Sequence, residues 1–149
     1  MNEFPFVLRP ATESDFAFIW ELRCLTMREA VEASYGWEQQ TQKQYAAESL
    51  NGTIVSTDGQ DIGVLTLADW GDQIHIVWLA VHPAFQGKGH GMALLRHSQF
   101  VARNSGRPLT LQVLKNNPAS RLYLRCGFEI IDESDPLKLR MRWLSPPGE

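Results

Sequence analysis

The sequence predicts an α/β domain on a mixed sheet, and three observations carry that expectation. Three strand-like segments, Thr53–Thr57, Ile62–Trp70 and Gln73–Val81, are separated by Asp58-Gly59 and Gly71-Asp72. Both are hairpin-type turns, so these strands should be antiparallel neighbours. A glycine-rich turn, Gln86–Gly91, then opens a helical segment that leads into another strand. A strand–helix–strand crossover of this kind is parallel and right-handed. The content of 44% apolar and 21% charged residues is that of an ordinary globular chain and excludes wholesale disorder.

Taken in order, Phe4–Arg9 is a short apolar run before Pro10 and reads as a first strand. Thr12 followed by Asp15 is an N-cap signature. Phe16, Ile19, Trp20, Met27, Ala30 and Val31 then recur on one helical face until Tyr35-Gly36-Trp37 breaks the pattern. Gln39 to about Leu50 is a second, more polar helix, ended by Asn51-Gly52. The three hairpin-linked strands follow. After His82-Pro83 the glycine turn opens a helix to about Asn104, stopped by Ser105-Gly106 and Pro108. Leu109–Leu114 is a strand, and Pro118, tolerated in a first helical turn, opens a short helix to Cys126, ended by Gly127. Phe128–Ile131 and Leu137–Trp143 close the chain as a pair of strands. With no repeat, low-complexity tract or linker, residues 1–149 read as a single domain.

Several function classes drop out. No apolar run approaches the roughly 18 residues of a membrane span, and the N-terminus lacks a basic stretch followed by a long apolar one. Two cysteines, Cys24 and Cys126, form no CxxC pair, which points to a reducing, cytoplasmic setting. The four histidines have no paired ligand spacing, so no metal is expected. Charge is segregated. Between Gln73 and Phe128 there is no acidic residue, whereas Lys88, Arg96, Arg103, Arg107, Lys115, Arg121 and Arg125 are all basic. The rest of the chain carries seven basic residues against all 17 acids. A pI near 5.8 and the lack of an aromatic-interleaved basic stripe argue against nucleic acid. A small polyanion held by the middle segment fits better.

The glycines at 87, 89 and 91 let the backbone turn sharply and aim several N–H groups one way, and the following helix adds its dipole. The turn is therefore an anion cradle. It is not a dinucleotide fingerprint, because Met92 stands where the third glycine belongs, and it lacks the Lys-Ser/Thr pair of a P-loop. The run from Leu79 to Gly91, with Gln86, Gly89 and Gly91 as the core of a Q/R-x-x-G-x-G pattern, resembles the acetyl-CoA motif of the GNAT superfamily of N-acetyltransferases. The run from Asn116 to Phe128, with Leu122-Tyr123 and Gly127-Phe128, resembles that family's second signature. The resemblance is firm over about residues 75–130 and looser over 1–60.

That resemblance implies a GNAT-type fold: a mixed, mostly antiparallel sheet of about six to seven strands, splayed at the coenzyme site and flanked by about four helices. It implies acetyl-CoA as co-substrate, an amine acceptor (a small molecule or a peptide N-terminus), and it allows a homodimer. Carried over by residue, Gln86, Gly87, Lys88, Gly89, His90 and Gly91 hold the pyrophosphate, with Arg125 a further basic contact. Leu79, Ala80 and Val81 offer a strand edge to the pantetheine arm and help polarise the thioester carbonyl. The family's pantetheine-contacting Asn is Asn116 by its spacing to Tyr123, or Asn117 by its pairing with Pro118. Tyr123 falls where the family carries its proton-donating Tyr. His75 stands where aralkylamine acetyltransferases carry one of their histidines, although Val77 replaces the second. As proton acceptor it competes with Glu29, Glu32, Glu38 and a water chain; Gln112, where some relatives have Glu, cannot serve. Glu29, Glu32, Trp37 and Glu38 would line the acceptor side, attracting a cationic amine by charge and cation–π contact. Two other readings compete: a non-catalytic acyl-CoA sensor on the same fold, and a doubly wound nucleotide-binding domain. The hairpin-linked strands before the glycine turn weigh against the latter.

Overall fold

The computed structural model describes residues 5–147; Phe4, where the first strand was expected to begin, lies outside the described residues. Among the described residues, seven strands and four α-helices follow one another. They are β1 (Val7–Pro10), α1 (Phe16–Tyr35), α2 (Gln39–Glu48), β2 (Thr53–Thr57), β3 (Gln60–Asp69), β4 (Ile74–Val81), α3 (His90–Ser105), β5 (Leu109–Leu114), α4 (Ala119–Arg125), β6 (Glu129–Asp132) and β7 (Lys138–Trp143). The strand order is β1-β2-β3-β4-β5-β7-β6. The β4–β5 pair is parallel, as the crossover through α3 requires, and β1–β2, β2–β3, β5–β7 and β6–β7 are antiparallel. The sheet is thus mixed and mostly antiparallel, as expected. Its edge differs from chain order: β7 pairs with β5 and leaves β6 outermost.

The chain divides into two compact units, Met1–Thr66 with Trp78–Gly91, and Leu67–Val77 with Met92–Glu149. In the first, Ile19 and Leu22 of α1 pack with Ala46 of α2, Ile54 of β2, Val64 of β3 and Trp78 and Ala80 of β4. Each fully buried aliphatic side chain there contributes roughly 1.5–3 kcal/mol. Leu22, three residues after Ile19, belongs to the buried stripe, whereas Phe16, Trp20 and Met27 are only partly buried around it. The start of α1 is fixed by the buried Asp15, which accepts from the Thr12 N–H at 2.8 Å and from both Arg9 amino groups at 2.8–2.9 Å. The Arg9 hydrogen bond, helped by the Thr12 N–H, outweighs burial and pulls the Asp15 carboxyl down to about 2.

Gly63, on β3, has a requirement that the sequence did not reveal. A Cβ at this position would overlap the Ala80 carbonyl oxygen and lie 3.2 Å from both the Ala80 carbonyl carbon and Val81 Cα. All three atoms are backbone, so no rotamer change relieves the clash. Gly63→Ala is therefore expected to destabilise the protein by roughly 1–3 kcal/mol and to shift the Ala80–Val81 backbone. Denaturant unfolding measures the first effect, and an unchanged midpoint would show that β3 and β4 part without cost.

In the second unit, Leu94, Leu95 and Ala102 of α3 are fully buried together with Leu109 of β5 and Met141 of β7. Gln99 ties α3 to the end of α4 by donating to the Cys126 carbonyl at 2.8 Å. The β4–β5 ladder comprises Ile74–Leu109, His75–Thr110 and Ile76–Leu111 and ends there, although β4 continues to Val81 and β5 to Leu114. The registers align His75, Thr110 and Arg142 across β4, β5 and β7, in one row on one face. Among the described residues no helix is long and apolar enough to cross a membrane.

Candidate active site

The glycine turn begins where β4 ends. His82 caps the short 3-10 turn Pro83–Phe85, its Nδ1 accepting from the Ala84 N–H at 3.1 Å, and its Nε2 lies 3.0 Å from a Glu21 carboxyl oxygen. Gln86 folds back, donating from Nε2 to the Val81 carbonyl at 2.8 Å, so that carbonyl is already engaged. Gly87 and Gly89 both adopt left-handed backbone, with φ of 80° and 83°. Nothing lies within 4 Å of a Cβ built at either position. The glycines are there for backbone conformation and not for lack of space. Left-handed residues before a helix can aim neighbouring N–H groups at a common point, and these two lead into the positive end of the 16-residue α3. Chemically, this can hold a diphosphate. Gly91 belongs to the first turn of α3, the His90 ring packs edge-on to Phe6 at 5.3 Å, and Lys88 reaches over the Phe85 ring at 5.8 Å. Of the expected pantetheine edge, Ala80 and Val81 are buried and Leu79 is half-buried.

Tyr123 lies on α4, buried, with its ring 5.9 Å from that of Phe128. It is not a phenol at its ordinary pKa. Burial alone pushes it up to about 12, so it keeps its proton throughout the physiological range. Asn117 precedes α4, its side-chain oxygen accepting from the Ala119 N–H at 2.9 Å, whereas Asn116 is exposed. Arg125 is exposed in the last turn of α4. The adjoining Cys126 is buried, with Sγ 3.0 Å from the Met92 sulfur, and burial pushes its thiol up, which disfavours a nucleophilic thiolate.

His75 lies in the β4–β5 ladder. Its Nδ1 is 2.8 Å from Thr110 Oγ1, and the Trp70 indole stacks on its ring at 3.8 Å and 11°. Burial, assisted by the Arg140 charge, pulls the imidazole down to about 4. The folded protein therefore takes up this proton near pH 4, whereas the unfolded chain does so near 6.5. The stability contribution is complete above pH 6.5 and is lost as pH falls from 6.5 to 4, up to about 3 kcal/mol. Thermal melts across that window should show the loss in wild type and a shallower slope in His75→Gln; equal slopes would mean that His75 does not titrate as its burial requires. The corresponding window for Asp15 lies lower, between its ordinary 3.8 and about 2.

The expected acceptor-side residues belong to the first unit and are not equally available. Glu38 caps α2, accepting from the Thr41 N–H at 2.7 Å, the Thr41 hydroxyl at 2.6 Å and the Gln40 N–H at 3.4 Å. Glu32 pairs with Arg28 one turn earlier at 3.0 Å. The same Arg28 guanidinium lies 5.2 Å from the centre of the Trp37 ring, which also packs 6.0 Å from Trp20. The cation on Trp37 is thus supplied by the chain itself. Glu29 is exposed.

A solvent-open cavity of about 360 Å³ in the second unit is lined by Gln112, Asp132, Ser134, Asp135, Lys138 and Arg140. Sequence reasoning had noted only Gln112 among these, because the register bringing Gln112 opposite Arg140, and Arg140 opposite Asp132, joins residues distant in the chain. Among the described residues no group of three or more His, Cys, Asp or Glu side chains could hold a metal ion.

A sequence-family profile described as an acetyltransferase (GNAT) domain matches residues 49–130, more than half of the chain. No curated protein matches it by sequence. Among solved structures, the chain resembles the PaiA N-acetyltransferase of Thermoplasma acidophilum, which was crystallised with coenzyme A. The TM-score is 0.73 and the identity 14%, over 94% of this chain and 99% of that one. An acetyltransferase from Thermus thermophilus gives 0.71 and 16%, over 96% and 99%. The ribosomal-protein-S18-alanine N-acetyltransferase of Escherichia coli gives 0.70 and 19%, over 97% of each chain. At such identities the structural likeness speaks for the fold, while the profile covers the strand, glycine turn and α4 signature described above. The chain belongs to the GNAT acetyltransferase family and is an acetyl-CoA-dependent acyltransferase.

Proposed function

We propose that the protein transfers the acetyl group of acetyl-CoA to a primary amine, a small molecule or a peptide N-terminus, by direct attack in a ternary complex. The observation that carries this reading is the left-handed pair Gly87 and Gly89 opening α3, which suits the coenzyme pyrophosphate. The Leu79–Val81 edge takes the pantetheine amides, with Asn116 or Asn117 as a side-chain partner. The amine nitrogen bonds to the carbonyl carbon, whose π pair moves onto oxygen, and sheds a proton toward His75 or water. The C–S bond then breaks, and the Tyr123 phenol donates a hydrogen bond to the departing thiolate. A phenol near 12 facing a thiolate of ordinary pKa about 8.5 would pay about 5 kcal/mol to give its proton up entirely. Tyr123 therefore shares its proton while charge develops on sulfur, and solvent completes the protonation. Glu29, exposed on α1, is the acid best placed to favour a cationic acceptor, because Glu38 and Glu32 have partners. The free thiols of Cys24 and Cys126 fit a reducing, cytoplasmic setting.

The test is release of free coenzyme A thiol from acetyl-CoA across a panel of amines that includes matched cationic and anionic pairs. The expected result is thiol release stoichiometric with an acetylated amine, faster for the cationic member. Tight acetyl-CoA binding with no release against any amine would overturn catalysis in favour of a sensor.

A further inference from the structure

Within the first unit, polar side chains of α1, α2 and β4 gather around Arg23 as hydrogen-bond donors that nothing receives. The Arg23 guanidinium lies over two rings, Tyr45 of α2 at 5.2 Å and Trp78 of β4 at 5.8 Å. Its Nε donates to Gln42 Oε1 at 2.8 Å. A guanidinium only donates, so the Gln42 atom facing it is the oxygen, and this fixes which way round that amide lies. The amide nitrogen is left over, on a side chain only 6% exposed. Among the described residues neither that nitrogen nor the two Arg23 amino groups have a partner. The Trp78 indole Nε1, on a side chain 7% exposed, is buried and unpartnered as well. No carboxylate pairs with Arg23 among the described residues. Burial pulls its pKa down, opposed only through space by Tyr45, Cys24 and Glu48. Buried donors are almost always paired, because an unpaired one forfeits its hydration, and a half-buried cation without a counter-charge is costlier still.

We propose that Arg23, Gln42 and Trp78 form a binding site for a small carboxylate. The ligand class follows from the donors. With Nε committed to Gln42, Arg23 offers its two amino groups side by side, the fork that matches both oxygens of a carboxylate. The Gln42 amide nitrogen and the Trp78 indole add N–H groups and no acceptor, so a cationic ligand finds nothing here to hold it. One negative charge balances the one guanidinium. A phosphate dianion would leave a charge uncompensated in a half-buried site. The burial of Gln42 and Trp78 restricts the occupant to a small molecule and excludes a protein surface. The site goes beyond the transferase reading and does not depend on it, since no step of acetyl transfer passes through these three side chains.

The test is a titration of the full chain with sodium propionate, followed at the Trp78 indole N–H in proton–nitrogen spectra and assigned with Trp78→Phe. Propionamide, sodium chloride and inorganic phosphate serve as comparison ligands. Propionate should move that resonance saturably, and the three comparison ligands should not. Arg23→Met keeps the apolar stem, removes the fork and should weaken propionate binding by roughly 10–100-fold. Gln42→Glu supplies the carboxylate from within, at a position whose side-chain oxygen already meets Arg23 Nε. It should abolish the response to propionate and raise the midpoint of thermal unfolding by roughly 2–4 °C, and it decides the matter even if Arg23→Met does not fold. A Trp78 resonance that stays still, or that moves equally with propionamide, chloride or phosphate, would overturn the carboxylate site. So would a Gln42→Glu protein that binds propionate as wild type does or that melts at a lower temperature.

Discussion

Tyr123→Phe is expected to lower turnover by roughly 10²–10³-fold with little change in acetyl-CoA affinity. The substitution keeps the ring that packs 5.9 Å from Phe128 and removes only the hydroxyl, so stability should hardly change. In the transition state, charge accumulates on sulfur as the C–S bond lengthens, and a donor aimed at it in a water-poor site stabilises that charge without reorganising solvent. In the ground state the thioester sulfur is neutral and gains little. The loss should therefore fall on kcat and not on KM for the coenzyme. The raised phenol pKa sharpens the expectation. Because Tyr123 stays protonated to about 12, the rate profile should show no limb from its ionisation in the neutral range. Equal turnover by the two proteins would show that solvent or another group serves the thiolate. A large rise in the acetyl-CoA KM would instead assign the hydroxyl to binding.

Much of the fold was legible because its signals are local. Hairpin turns at Asp58-Gly59 and Gly71-Asp72, alternation in the strands, and the breakers Ser105-Gly106 and Gly127 each act within a few residues. The order β5-β7-β6 was not legible, since nothing near residues 129–143 says which strand reaches β5. Two features of the acceptor side could have been read and were not. Glu38 immediately precedes a helix that it caps, and Arg28 and Glu32 stand at the i,i+4 spacing of a helical ion pair. The contact between His75 and Thr110 lies at the other extreme. His75 and Thr110 are 35 residues apart, and their pairing follows only from the parallel register of β4 and β5. Gly63 is of the same kind: its need for a bare Cα comes from a strand that begins eleven residues later.

Gly89→Val should weaken acetyl-CoA binding on the order of 100-fold while the fold persists. Gly89 sits at φ 83°, where an L side chain with a branched Cβ is strained by roughly 1–2 kcal/mol. Its Cβ would meet nothing within 4 Å, so steric conflict does not force unfolding. The chain relieves the strain by rotating the backbone toward negative φ. That turns the neighbouring N–H groups away from their common point and dismantles the cradle. Gly91, expected with Gly89 to contact the pyrophosphate, provides the comparison. It lies in the first turn of α3, outside the left-handed positions, so Gly91→Ala leaves the left-handed turn alone and adds only a methyl group. Calorimetry with acetyl-CoA and thermal unfolding, run on both variants, separate binding from stability. If Gly89→Val binds acetyl-CoA as wild type does, the pyrophosphate is held elsewhere, and the basic side chains of the middle segment become its holders. If Gly91→Ala loses affinity as severely as Gly89→Val, close backbone approach to the ligand, and not the left-handed turn, is what the glycines supply.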